Sequence, residues 1–182
     1  MTAAIEVRGL GKRRGARWVV DEVSFAIAPG EIAALVGGNG AGKSTTLAMI
    51  AGALSIDRGW VAIAGATSGR RRQLGYVPES AAPQPADQRP QLDAMADRRF
   101  AQMSLGQRRR ACLAAALIGA PPALVLDEPD NGLDVDALDA LATLVRAAAA
   151  AGAGVIIASH DPAVQAELAT RTLRLVDGRL AT

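Results

Sequence analysis

Gly37-Gly38-Asn39-Gly40-Ala41-Gly42-Lys43-Ser44 stands directly between an unbroken apolar run, Ile32 to Val36, and a stretch of helical character from Ser44 to Ala53. No other feature restricts the chain so severely. An apolar run without polar alternation reads as a strand buried on both faces. Such a strand belongs to a sheet covered by helices on each side. In that setting the pattern G-x-x-x-x-G-K-[ST] predicts a phosphate-binding loop. Its glycines let backbone N–H groups converge on phosphate oxygens, and the helix N-terminus adds partial positive charge. Lys43 can reach the outer phosphates, and the Ser44 hydroxyl can ligate Mg²⁺. Gly37, Gly38, Asn39, Gly40, Ala41, Gly42, Lys43, Ser44 and Thr45 are the candidate nucleotide-binding residues. The loop alone does not separate a transport ATPase from a kinase or a GTPase.

The remaining periodicities support an α/β layered domain. Ala4 to Arg8 and Val23 to Ile27 alternate as short strands, and Val61 to Ala64 and Leu74 to Val77 read as further ones. Leu105 to Ile118 is a predicted helix, ended by Gly119 and Pro121-Pro122. Ala123 to Leu126 and Gly154 to Ala158 are two more buried strands, with a helix from Leu138 to Ala151 between them. Asp161-Pro162 opens a short helix, and Thr172 to Val176 pairs with Leu180 through the Asp177-Gly178 turn. Strands alternating with helices predict a mainly parallel central sheet, and the early antiparallel pieces predict a side sheet. In such folds ligands sit beyond the carboxyl ends of the strands. Ser80 to Arg99, with Pro83, Pro85 and Pro90, reads as a surface excursion with little regular structure before about Gln91.

Composition bounds the function class. The 182 residues are 50% hydrophobic but only 3% aromatic, so aliphatic side chains and alanine must fill the core of one domain, residues 1–182. The formal charge of +2 gives no reason to expect nucleic acid as a partner. Cys112 is the single cysteine, which excludes an internal disulfide and suits a reducing cytoplasm. Met1 to Leu10 lacks a signal peptide's apolar core, and the longest uncharged stretch, Ala111 to Leu126, is broken by Gly119, Pro121 and Pro122. Any membrane role is expected to come from a partner.

Leu124-Val125-Leu126-Asp127-Glu128-Pro129 places two adjacent carboxylates at the end of a buried strand. Successive strand residues point to opposite sides, so the two acids are expected to have different roles. Asp127 is the candidate Mg²⁺ ligand. Glu128 is the candidate group to orient and polarise an attacking water, and as general base it would supply ~10²–10⁴ in rate.

Between these motifs lies Met103-Ser104-Leu105-Gly106-Gln107, entering a helix and followed by Arg108, Arg109 and Arg110. Here the chain resembles the ATP-binding cassette (ABC) ATPases, whose signature reads L-S-G-G-Q. Ser104, Gly106 and Gln107 match it. Asp130-Asn131-Gly132-Leu133-Asp134 is similar to the family's D-loop. Ser159-His160-Asp161 is similar to its switch-histidine segment, and His160 is the chain's one histidine. The resemblance implies the nucleotide-binding fold of that family and ATP hydrolysis with Mg²⁺, with Lys43, Glu128 and His160 catalytic. It implies a two-fold dimer, homo- or heteromeric, in which Ser104, Leu105, Gly106 and Gln107 of one copy meet the γ-phosphate held by the other. It further implies a transmembrane permease on a separate chain, and so a cytoplasmic location against the inner face of the cell membrane.

Four departures from the family pattern bear on these expectations. The adenine-stacking aromatic aligns with Arg14, which leaves Arg14 or Trp18 to face the base, or Trp18 as packing beside Val19 and Val20. The coupling glutamine after Gly75-Tyr76-Val77-Pro78 is Glu79, a residue shared with exporter-type members and a candidate metal ligand. Leu105 replaces a signature glycine. Finally, residues 80–103 leave room only for a shortened helical subdomain, with one short helix around Gln91 to Gln102. The expected function is the ATPase subunit of an exporter. The alternatives are a haem-exporter-type ATPase of cytochrome c maturation and a non-transport or regulatory cassette. Arg70 to Arg72 read as a solvated face or a membrane-surface contact, and Cys112 as a small core residue.

Overall fold

Alternating burial over the first 27 residues builds a long hairpin. In the computed structural model, which describes residues 2–67, 74–79 and 103–181, β1 (Ile5–Arg14) and β2 (Arg17–Ile27) pair antiparallel, with Arg14 opposite Arg17 across the turn at Gly15. Ile5, Val7, Leu10, Val20, Val23 and Ile27 point inward and are fully buried. β4 (Arg58–Ile63) pairs with the other edge of β1, giving a side sheet of order β2-β1-β4. Both hairpin strands run well past the alternation that predicts them. The pairing slips in register around Leu10 and Lys12, and such bulges destroy strict period two while hydrogen bonding continues.

The second sheet has the order β5-β6-β7-β3-β8-β9 among the described residues. Its strands are β3 (Ile32–Val36), β5 (Leu74–Val77), β6 (Ala123–Asp127), β7 (Gly154–Ala158), β8 (Arg171–Val176) and β9 (Arg179–Leu180). All pair in parallel except β9, which turns back on β8. The sheet is covered on both sides. Ala33, Leu35, Val125 and Ile156 pack with Leu47 and Ile50 of α1 (Lys43–Ala51) and with the side sheet. Ala34, Leu124, Leu126 and Ile157 pack with helices α2 (Leu105–Leu117), α3 (Val135–Ala150) and α4 (Pro162–Leu168). That two-sided burial accounts for the apolar runs, and each fully buried Leu or Ile contributes ~1.5–3 kcal/mol.

Helix ends follow local chemistry. α3 starts at Val135, ahead of the predicted Leu138, because the Asp134 carboxylate accepts the Ala137 N–H at 2.9 Å and caps the first turn. α2 packs directly on β5. A Cβ at Gly75 would stand 2.2 Å from the Ala116 carbonyl oxygen and 2.5 Å from Leu124 Cδ2, so only glycine permits this approach. Cys112 is half-buried on α2, and burial pushes its thiol pKa up, which makes it an inert packing group. No helix among the described residues is long and apolar enough to cross a membrane. Arg70 to Arg72, the excursion at 80–99, the helix around 91–102 and all but Met103 of segment 80–103 lie outside the described residues.

Candidate nucleotide site

The central sheet brings three loops together at its carboxyl edge. β6, β7 and β3 are neighbours, so Asp127-Glu128, Ser159-His160 and the 37–44 loop leave the sheet side by side. The loop turns into α1 through Gly42, whose φ of 101° lies in the left-handed region; a Cβ there would also meet the Val19 carbonyl oxygen at 2.8 Å. Within the loop Asn39 and Gly40 are exposed, whereas Ala41 and Lys43 are buried. The Lys43 ammonium is folded over the loop and donates to the carbonyls of Gly37 at 2.9 Å and Gly38 at 3.4 Å. Thr45 is half-buried, and Thr46 caps Gly42 O from within.

Asp127 and Glu128 do separate in direction, but not by strand alternation alone. Glu128 lies just past β6 with φ 48°, a left-handed conformation unusual for a non-glycine residue. Its N–H still bonds the Ala158 carbonyl at 2.8 Å. Asp127 therefore faces α1, where it accepts the Ser44 hydroxyl at 3.2 Å. Glu128 faces β7, accepting the His160 N–H at 3.0 Å and lying 3.2 Å from His160 Nε2. The Asp127 carboxyl is pushed up to about 6, first by burial, with the carboxylates of Glu79 and Glu128 adding to the shift and Ser44 and Lys43 opposing it. Glu128 is also raised, again chiefly by burial, with the His160 side chain and N–H opposing. Burial and the nearby acids push the Tyr76 phenol to about 12.

These residues fit a divalent cation. A buried carboxylate whose one hydrogen-bond partner is a hydroxyl gives two hard oxygen donors, the set that Mg²⁺ takes alongside phosphate oxygens and water. Among the described residues no group of three or more His, Cys, Asp or Glu side chains is placed to hold a metal. Glu79 is exposed, near enough to Asp127 to raise its pKa by charge.

Of the other expected residues, Asp130 and Asn131 adjoin this centre. Ser104 caps α2 in a reciprocal box: its hydroxyl accepts the Gln107 N–H at 3.2 Å, and Gln107 Oε1 accepts the Ser104 N–H at 2.9 Å. Gly106 lies beside Gly132, with a Cβ position 3.9 Å from the Gly132 carbonyl oxygen. The signature and D-loop segments of one subunit are therefore neighbours; the Leu105 side chain is not among those described. Asp130 is tied to the switch segment by the Ser159 hydroxyl at 2.8 Å, Asn131 N–H and Leu133 N–H bond back to the carbonyls of Glu128 and Asp130, and Asp134 serves as the α3 cap. Arg14 is exposed at the hairpin end. The Trp18 ring is engaged by two guanidiniums, Arg13 at 4.8 Å and Arg58 at 4.3 Å from its centre, and lies over Gly11. Of the two readings of Trp18, this geometry supports packing, because cations already occupy the ring.

One residue of the site escapes a sequence reading. Arg109 is 3% exposed, and its guanidinium donates to the main-chain carbonyls of Glu128 and of Glu79, the latter at 3.0 Å. The available signal was helical phase: Arg109, Leu113 and Ala116 share one buried stripe of α2.

Comparison with known proteins agrees with this arrangement. The family model "ABC transporter" matches residues 20–91, and "AAA domain, putative AbiEii toxin, Type IV TA system" matches residues 92–166. An ABC transporter ATP-binding protein of Streptomyces avermitilis is 36% identical over 96% of this chain, which spans 36% of that protein's length. A Nod factor export ATP-binding protein of Paraburkholderia xenovorans is 33% identical, with 97% of this chain and 69% of the relative covered. A sulfate/thiosulfate import ATP-binding protein of Bordetella parapertussis is 36% identical, with 97% and 60% covered. Among solved structures, the ATP-binding subunit of an ABC transporter superposes with a TM-score of 0.81 at 28% identity, covering 98% of this chain and 88% of that one. With an ABC relative matched over most of both lengths, and its motifs converging on one sheet edge, the chain belongs to the ATP-binding cassette family of transporter ATPases.

Proposed function

We propose that the chain is the ATP-binding and ATP-hydrolysing subunit of an ABC exporter, acting as a dimer that drives a permease carried on a separate chain. The observation that carries this reading is the convergence at one edge of Lys43, Ser44 and Asp127 with the Glu128–His160 pair. Lys43 and the loop amides hold the outer phosphates, and Ser44 and Asp127 hold the cation, which supplies charge neutralisation at the phosphates. Glu128, directed by His160, orients and activates water. Ser104 and Gly106 complete the partner copy's site. The loss of the γ-phosphate then removes the group that bridges the two copies, so the dimer opens and moves the attached permease. The subunit lies in the cytoplasm on the inner face of the membrane.

Export is supported by Glu79 and by the Nod factor export relative, although an import relative matches at similar identity. A reduced helical segment at 80–103 accords with matches that run over 205 and 210 positions against a chain of 182 residues. The decisive experiment is Glu128→Gln. The variant is expected to bind Mg-ATP with wild-type affinity, to stall turnover, and to elute as an ATP-dependent dimer on size exclusion. Wild-type turnover in that variant removes Glu128 from the role of base.

A further inference from the structure

Taking a guanidinium out of water costs several kcal/mol unless it is well satisfied, yet Arg109 is buried with no carboxylate pairing it among the described residues. Its two terminal nitrogens instead take one carbonyl each, from Glu128 and from Glu79. A planar fork of donors suits two acceptors on different segments, where the single ammonium of a lysine would not.

The Glu128 carbonyl is the pivot of the catalytic turn. It leaves a residue with φ 48°, just past the end of β6, whose own N–H still bonds the Ala158 carbonyl of β7. The same carbonyl accepts the Asn131 N–H at 3.3 Å, so it also anchors the start of the D-loop segment. On the side-chain end of that residue, the carboxylate meets His160 through both its N–H and its ring. Whatever holds the carbonyl thus restrains the backbone from which that carboxylate reaches His160.

Arg109 is also one of two clamps between α2 and the β5 edge. At the far end Gly75 admits the Ala116 carbonyl into contact; at the near end Arg109 grips Glu79, just past β5. The helix advances about 10 Å between Arg109 and Ala116, so the two contacts hold α2 to the β5 side at separate points.

We propose that Arg109 is a positioning residue whose fork holds the Glu128 and Glu79 carbonyls to the N-terminal turns of α2, and thereby sets the Glu128 carboxylate against His160. The proposal rests on the reading of Glu128 as the water-activating base. Movement of the α2 N-terminus, which carries Ser104 and Gly106, then reaches Glu128 through one side chain.

Arg109→Lys and Arg109→Met, made in the full chain beside Glu128→Gln, test this by amide hydrogen exchange and steady-state ATP hydrolysis. In both Arg109 variants the His160 and Asn131 amides should exchange faster, and kcat should fall, each by about tenfold or more, the rate equivalent of one lost hydrogen bond to a charged group. Mg-ADP affinity and exchange at the β7 amide of Ile156 should stay as in the wild type. If Arg109→Met does not fold, Arg109→Lys, which keeps the stem and the charge, carries the test alone. Wild-type kcat in Arg109→Lys, or unchanged exchange at His160, overturns the proposal. Wild-type turnover in Glu128→Gln instead overturns the assignment of the base, and the exchange readout still decides whether Arg109 holds the turn.

Discussion

Asp127→Asn should make the nucleotide-free protein more stable. Asp127 is 2% exposed, and its carboxyl is pushed from 3.8 to about 6, first by burial. The folded state thus binds a proton more tightly than the unfolded chain, so stability falls as pH rises through the window from about 4 to 6 and stays low above it. A shift of about two units costs the folded protein about 3 kcal/mol at pH 7.5, and only about 0.6 kcal/mol at pH 4, where the folded carboxyl is protonated and the unfolded one is only about half ionised. Asparagine removes the charge and keeps an oxygen for the Ser44 hydroxyl. Its NH₂ group enters a buried position without an evident acceptor, which costs about 1–2 kcal/mol. The net gain is therefore about 1–2 kcal/mol at pH 7.5, or a rise of about 2–8 °C in Tm for a domain of this size.

The assay is scanning calorimetry from pH 4 to 8, first in EDTA and then with Mg-ADP. In EDTA the advantage of the variant should be greatest at pH 7 to 8 and should vanish or reverse at pH 4. With Mg-ADP the order should invert, since the wild-type carboxylate gains a cation and the variant does not. A variant that melts no higher than the wild type at pH 7.5 in EDTA refutes the reasoning. So does an advantage that grows on acidification.

Two further substitutions address how the site is held. Gly75→Ala places a methyl 2.2 Å from the Ala116 carbonyl oxygen, so α2 must lift from β5; a loss of about 1–3 kcal/mol is expected from the urea midpoint, and an unchanged midpoint would contradict the packing. Ser104→Ala breaks the reciprocal cap of α2 and should lower stability by about 1 kcal/mol in the same measurement, without altering Mg-ADP affinity in the nucleotide's own subunit.

The parts legible in the sequence were those with one physical cause each. β3, β5 and β7 match their predicted residues because their apolar runs are short, uninterrupted and bounded by turns or by the site. The hairpin runs longer than its alternation indicates because bulges near Leu10 and Lys12 scramble that alternation while the pairing continues. α3 begins earlier than its apolar periodicity indicates because Asp134, which reads as a D-loop acid, serves as a cap as well. At the site, Lys43, Asp127, Glu128 and His160 each stand immediately beyond or near a buried strand end, where topology alone makes them neighbours. Arg109 was not legible in that way. It sits between Arg108 and Arg110, and composition gives the three the same face value; only the phase of the helix distinguishes the buried one. Trp18 shows the opposite limit. Its partners Arg13 and Arg58 come from different strands of the side sheet, and no local pattern pairs them.

What unites the buried charges is that none of them neutralises another. Lys43 is held by loop carbonyls, Asp127 by a hydroxyl, Glu128 by His160 and Arg109 by two carbonyls. Direct pairing of Lys43 with Asp127 would recover Coulomb energy in a low-dielectric site, yet the ammonium turns to the Gly37 and Gly38 carbonyls and the carboxylate to Ser44. Neutral dipoles can orient a charge without cancelling it, so the ammonium stays available to phosphate and the carboxylate to a cation. That arrangement lowers the stability of the folded chain, as the raised Asp127 pKa records. Sites that break the burial rule without local compensation are where function is expected, and here Lys43, Asp127 and Glu128 stand at or just beyond the carboxyl ends of β3 and β6, on the one edge that β7 also shares.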